Sequence, residues 1–195
     1  MNRRHQGEES PRTRRFVFLL LDQFSLLPFS TALEALRIAN RFNRREVYSW
    51  DLVSETGADA VCSNGTRLRV DGGLDEVGRD DTIVVCGGLD IAQASTRPVL
   101  GWLRREARRG VGIGGLCTGA WTLAKAGLLD GRKCTIHWEN HDSFAEEFDE
   151  VELSKAVYVI DGSGTIAWRA FLETYKERPA PAEILAAVGA AQSSG

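Results

Sequence analysis

The sequence predicts a three-layer α/β sandwich with a mainly parallel sheet, and three observations carry that prediction. Continuous apolar runs of strand length recur, first "FVFLLL" at 16–21 and later "DTIVVCGG" at 81–88. A strand buried on both faces reads this way, whereas a half-exposed strand alternates apolar and polar residues. Segments with helical spacing stand between the runs, and strands therefore alternate with helices along the chain, as covered parallel sheets require.

Taken in order, "LPFSTALEALRIANRFN" places Phe29, Ala32/Leu33, Leu36, Ala39 and Phe42 on one helical face. "SWDLVSE" is the next strand, and "VCSNGTRLRVDGGL" contains Asn64-Gly65, a strong hairpin-turn signal. After the 81–88 strand, "RPVLGWLRREARRG" is a helix with Val99, Leu100, Leu103 and Ala107 inward and Gly110 at its end. The arginines Arg104, Arg105, Arg108 and Arg109 fall on its outer face and read as solvated. "VGIGGL" makes a strand and "TGAWTLAKAGLL" a helix; "KCTIHW", "ENHDSFAEEFD" and "AVYVIDG" follow as strand, helix and strand. From Ser163 onward the pattern weakens to a short strand at Thr165–Trp168, a short helix, a break at Pro179 and Pro181, and an Ala-rich helical end. The whole is flavodoxin- or Rossmann-like, divided as a disordered lead (1–15), one α/β domain (16–162) and a divergent C-terminal segment (163–195). Ligands of such folds bind at the carboxyl ends of the strands, here the loops after Leu21, Cys86, Leu116 and Trp138.

Composition narrows the function classes. A chain of 195 residues with 43% hydrophobic and 26% charged residues suits one globular domain. A net charge of -3 gives no general pull toward nucleic acid. The Arg-rich lead "MNRRHQGEESPRTRR" reads as solvated rather than as a nucleic-acid-binding arm. The four cysteines form no C-x-x-C pair or compact disulfide spacing, which points to a reduced, cytoplasmic protein. The longest early apolar run, 16–21, is too short for a signal segment or membrane span.

The chemistry concentrates in "GVGIGGLCTGAWTLAKAGLL" (110–129). Gly110 to Gly115 matches G-x-G-x-x-G, but a dinucleotide turn places its glycines after a strand; these lie within one, so the nucleotide reading is rejected. Gly115-Leu-Cys-Thr-Gly119 instead matches the nucleophile elbow, G-x-[S/C]-x-G, at a strand-to-helix turn. Its glycines make room for a strained central residue whose side chain stands above the sheet. Cys117 is thus the catalytic candidate, if the protein has an activity. A helix N-terminus favours a thiolate there. The Thr118 N–H, with a second N–H from Gly87-Gly88, would face an oxyanion. The alternative is a tight turn holding an inert small residue. A catalytic thiol needs a base, and few are offered. His137 ends a predicted strand and is taken either as a pocket-lining hydrogen-bond donor or as a half-buried structural histidine. His137 and His141 are spaced to share a metal, yet no third ligand is evident, so no metal and no cofactor is expected. Trp121 and Trp138 would suit a quaternary ammonium if both faced the pocket, and core packing otherwise.

Several motifs in register support a family resemblance: "FLLLDQFSLLPFSTALEALRIAN", "YSWDLVSETG", "SNGTRLRVD", "DTIVVCGG", "GLCTGAWTLAKAGLLDGRKCTIHWEN" and "VYVIDG". They resemble the class I glutamine-amidotransferase-like (ThiJ/PfpI) superfamily, in particular the sensor domains of AraC-type transcriptional regulators of the GlxA kind. The resemblance implies a small-molecule receptor built on an enzyme fold, with Gly87, Gly88, Cys117, Thr118 and His137 as ligand-binding candidates. The effector would be an amine, amino acid or quaternary ammonium compound, the protein a homodimer without membrane contact, and DNA bound only through a separate helix-turn-helix module. Enzymes of the superfamily carry an acidic residue in the first strand–helix connection, where Pro28 stands here; Asp22 and Glu34 are near but not matching. Amidotransferase-type relatives place a histidine directly after the cysteine or much later, but Thr118 fills the first place and no histidine follows His141. These departures favour a sensor over the alternative, a Cys-dependent hydrolase, amidase or isonitrile-hydratase-like enzyme; a non-functional remnant is the third reading. No helix-turn-helix is recognised after Gly164, which leads to the expectation of a truncated or frame-altered regulator.

Overall fold

The computed structural model describes residues 13–160 and the backbone strand 166–168. The expected disorder of the lead falls mostly outside these residues, as do the helices expected after Trp168. Strand β1 (Arg14–Leu20) is followed by α1 (Leu26–Asn43), β2 (Tyr48–Val53) and a hairpin of β3 (Ala60–Val61) and β4 (Arg67–Leu68). Next come β5 (Thr82–Cys86), α2 (Ile91–Ala94), α3 (Arg97–Arg108), β6 (Gly112–Leu116) and α4 (Gly119–Lys125). The chain continues through β7 (Lys133–Cys134), a 3₁₀ turn (Trp138–Asn140), α5 (His141–Glu147), β8 (Glu152–Leu153), β9 (Tyr158–Ile160) and β10 (Ile166–Trp168).

The main sheet has the order β2-β1-β5-β6-β10-β9. The pairs β1–β2, β1–β5, β5–β6 and β6–β10 are parallel, and β9 is an antiparallel edge. The apolar run of β1 explains the layering. Val17, Leu19 and Leu21 join a core with Val99, Trp102 and Leu103 of α3 and Ala120, Trp121 and Leu123 of α4. Phe18 and Leu20 point the other way, into a second core with Phe29 and Ala32 of α1. Alternate side chains of one strand thus feed both faces, and the three expected layers result.

β1 starts at Arg14 rather than Phe16, because Arg14 N–H donates to Val47 O (3.0 Å) and Arg15 pairs with Asp51 (2.9 Å). In α1 the inward row ends early: Phe42 is 79% exposed. The last turn is tied down by Asn40 instead, whose Oδ1 accepts from Val47 and Tyr48 N–H and whose amide donates to Tyr48 O. The hairpin forms as its Asn-Gly signal predicts, with Gly65 at φ 84. Helix α4 stops at Ala126 in a Schellman arrangement, Gly127 (φ 71) donating to Ala124 O and Leu128 to Leu123 O.

The segment "KCTIHW" departs most from expectation. Only Lys133 and Cys134 pair, with β8, in a separate two-stranded sheet. Thr135 and Ile136 are buried without joining a ladder, and the Thr135 hydroxyl donates to Ala156 O (2.7 Å). Trp138 is therefore not at the end of a main-sheet strand. Of the α3 arginines, Arg104, Arg105 and Arg108 are exposed as the solvated reading expects, but Arg104, Arg105 and the half-buried Arg109 also hold the fold together. Glu106, fully buried, accepts from Arg105 Nε (2.7 Å) and from Arg109. Arg109 also reaches Glu76 (2.7 Å) and Val77 O (3.0 Å). Arg104 caps the carbonyls of Lys125 and Ala126 at 3.0 and 2.9 Å. A buried carboxylate is tolerated only when paired, and these arginines supply the pairing.

Candidate functional site

Three strand ends, those of β1, β5 and β6, meet the start of α4 at the carboxyl end of the sheet. The approach is closer than side chains permit. A Cβ on Gly87 would lie 2.5 Å from Gly119 N, and one on Gly119 would strike the Val85 carbonyl. Glycine at both positions lets the α4 backbone rest directly on β5. Gly88 is crowded in the same way by the Gln23 carbonyl.

Cys117 occupies the turn between β6 and α4 with φ 56, a left-handed conformation that costs a non-glycine residue about 1 kcal/mol. The residue is buried, with 7% exposure. Thr118 follows, itself buried, and its hydroxyl donates to Gly88 O at 2.8 Å, tying the turn to the end of β5. Gly87 N–H donates to Leu116 O (3.2 Å), so its hydrogen is engaged in extending the β5–β6 ladder. Gly87, Gly88, Cys117 and Thr118 are thus assembled by the fold around one backbone knot. Beneath them the Cys86 thiol is pushed strongly up by burial and by the neighbouring Cys117.

His137 enters from a different part of the chain, preceding the 3₁₀ turn between β7 and α5. Its ring lies 5.8 Å from that of Trp138, and Nδ1 stands 3.7 Å from Glu139. His141 turns Nε2 toward Ile136 O at 3.1 Å. The two tryptophans do not form a cage. Trp121 packs in the core against Phe144 (6.0 Å) and Phe148 (5.2 Å), while Trp138 is 53% exposed. Pro28 is buried in the first turn of α1. Glu34 lies on the outer face of that helix, bound to Arg37 Nε (2.9 Å), which holds its carboxyl below the ordinary range. Neither residue offers a carboxylate to Cys117.

Sequence reasoning missed a second feature of the same end. A cleft of about 410 Å³ opens beside the Gly88 turn, walled by residues from three segments, among them Leu21 and Gln23, Ser54 and Ala60, and Asp90 and Thr96. Gln23 (φ 54) and Asp90 (φ 46) on its rim also adopt left-handed backbone. None of the five predicted site residues lines it. Its wall comes from three separate segments, and no local spacing signals it; the one available cue was that aspartate tolerates the left-handed region.

The fold and this turn define a class: a flavodoxin-like α/β sandwich with a cysteine in left-handed conformation between a central strand and its helix. The DJ-1/PfpI family profile matches residues 14–175, and the chain belongs to that family. It is 41% identical over 144 residues to the HTH-type transcriptional regulator GbdR of Pseudomonas aeruginosa (strain UCBPP-PA14), covering 74% of this chain and 39% of that protein. It is 36% identical over 158 residues to the HTH-type transcriptional regulator GlxA of Rhizobium meliloti (strain 1021), covering 80% of this chain and 48% of that protein. The chain thus spans less than half the length of either regulator. A crystal structure of an AraC family transcriptional regulator from Pseudomonas putida superposes with a TM-score of 0.67 at 28% identity, covering 80% of this chain and 83% of that one.

Proposed function

We propose that this chain is the small-molecule-sensing DJ-1/PfpI module of an AraC-type transcriptional regulator, with its effector seated at the turn formed by Gly87, Gly88, Cys117 and Thr118. The observation that carries the reading is the 41% identity to a helix-turn-helix regulator over three quarters of the chain. In this reading His137 completes the pocket, DNA is contacted by a separate helix-turn-helix module, and the protein works in the cytoplasm as a homodimer. A receptor role accounts for the turn better than catalysis does. Cys117 is buried, Pro28 occupies the place of the acid, and the Gly87 amide is engaged in the sheet. No helix among the described residues is long and apolar enough to cross a membrane.

The test is a thermal-shift screen of small amines, amino acids and quaternary ammonium compounds, since a ligand bound to the folded state raises apparent stability by mass action. A hit whose shift disappears in Cys117→Ala and shrinks in Thr118→Val supports the site. A hit chemically turned over by the wild-type chain, with turnover abolished in Cys117→Ala, overturns the sensor reading in favour of a Cys-dependent amidase or hydratase.

A further inference from the structure

We propose that the outer face of α1 is the surface through which two copies of this chain pair, the helices crossing antiparallel about a two-fold axis beside Ala35. The inference rests on the homodimer of the sensor reading and names its surface, which that reading leaves open.

Helix α1 is apolar on two faces. Phe29, Ala32, Leu33 and Leu36 pack against the sheet, in the core that Phe18 and Leu20 enter. Away from the sheet, Leu27, Thr31, Ala35, Ile38 and Phe42 recur at spacings of four, four, three and four residues. They form one stripe along the helix, and all five are exposed. Three of the seven large apolar side chains exposed among the described residues stand in this stripe. Helix α3 shows the contrast: its exposed side chains are mostly arginines, Arg97, Arg104, Arg105 and Arg108, as a helix facing water requires. A helix apolar on both sides is built to be covered on both.

A second copy fits the stripe because the stripe is its own complement. The pairs 27 and 42, 31 and 38, and 34 and 35 lie symmetrically about the midpoint of α1, between Glu34 and Ala35. An antiparallel partner therefore sets Phe42 of one protomer against Leu27 of the other, and Ile38 against Thr31. Each contact seats a larger side chain on a smaller one. Ala35, the smallest side chain of the stripe, falls beside the axis, where the helices approach most closely. The border is complementary in charge. Glu34 accepts from Arg37 Nε within its own helix (2.9 Å). A two-fold brings the same flank of both helices together, which places each Glu34 within reach of Arg37 from both protomers. A face made for an unrelated partner has no need of this symmetry. One helix pair covers less than the roughly 800 Å² per partner of a standard interface, so the pairing depends on concentration.

The experiment is sedimentation velocity of the full chain over a wide range of concentration. A reversible monomer–dimer equilibrium is expected. Ile38→Glu and Phe42→Glu each weaken it by at least about tenfold, because a charge is then pressed against an apolar neighbour. Arg108→Glu, on the outer face of α3, leaves it unchanged. These positions are exposed, and far-ultraviolet circular dichroism checks that the variants stay folded. Ala35→Cys gives a covalent dimer under diamide, because the axis brings the two introduced thiols together. The wild-type chain gives none, since its own cysteines are buried. A dimer indifferent to both Ile38→Glu and Phe42→Glu, or one whose Ala35→Cys thiols fail to cross-link, would overturn the proposal. A monomer at every concentration would also overturn it, and would leave the face to another molecule or to residues outside those described. Repeating the thermal-shift screen on Ile38→Glu keeps the two readings apart: an effector shift that survives there leaves the sensor standing when the interface fails.

Discussion

The two ends of the sheet solve opposite problems. At the amino end, charges are paired: Arg15 bridges Asp51 and Asp81, and Arg105 and Arg109 close on Glu106, with Arg109 extending to Glu76. Left-handed backbone there serves to end helices, at Arg44 (φ 53) after α1 and Gly110 (φ 88) after α3, and polar side chains hold loops to α3. At the carboxyl end the arrangement reverses. Gln23, Asp90 and Cys117 adopt left-handed backbone, glycines replace side chains where α4 meets β5, and the exposed carboxylates of Asp22, Asp59 and Asp90 have no side-chain partner among the described residues. Charge pairing thus stabilises the amino end, whereas the carboxyl end gathers left-handed residues outside helix ends around the strand termini where ligands of such folds bind.

The largest effect that would break this comparison comes from the glycine knot. Gly119→Ala forces α4 away from Val85 and is expected to cost about 3 kcal/mol or prevent folding, read by urea denaturation. At the opposite end, Glu106→Gln should cost about 2 kcal/mol, because the arginines left behind still reach solvent. Combined with Arg109→Gln the loss should be less than additive, as for residues of one network. Thr118→Val removes the strap to Gly88 and should cost about 1 kcal/mol.

A pH measurement sharpens the picture on the flank. Burial raises the Cys134 thiol to about 11 in the folded chain, above its ordinary value of 9.0. A raised folded value means the stabilisation is complete below about 9 and is lost as pH rises toward about 11. Stability should fall across that window, and Cys134→Ala should flatten the slope. The smallest effect is expected at the strained turn itself: Cys117→Gly relieves the left-handed backbone and should stay within about 1 kcal/mol of wild type.

Where structure follows from a short stretch of chain, it was legible beforehand. The apolar runs of β1 and β5 announced doubly covered strands, and the G-x-C-x-G spacing placed a strained cysteine between β6 and α4. "KCTIHW" misled because Thr135 and Ile136 are buried by α5 and the 154–156 segment rather than by sheet pairing, and burial alone imitates a strand. Phe42 misled because helical period says which face a residue shares, not where the sheet beneath it ends. Glu106 was hidden among four arginines, since its partners Arg105 and Arg109 are themselves held by the 74–77 loop, some thirty residues away in the chain. The acidic cleft is likewise a product of three distant segments that only the fold brings together.

In the proposed sensor, Cys117 marks a recognition site and does not attack. The most direct test is the rate of Cys117 carbamidomethylation in the native chain at neutral pH, followed by peptide mass spectrometry. With the residue at 7% exposure, the account predicts a rate slower than that of a free cysteine thiol. A rate well above the free thiol's, lost on denaturation, would show an activated nucleophile and contradict it.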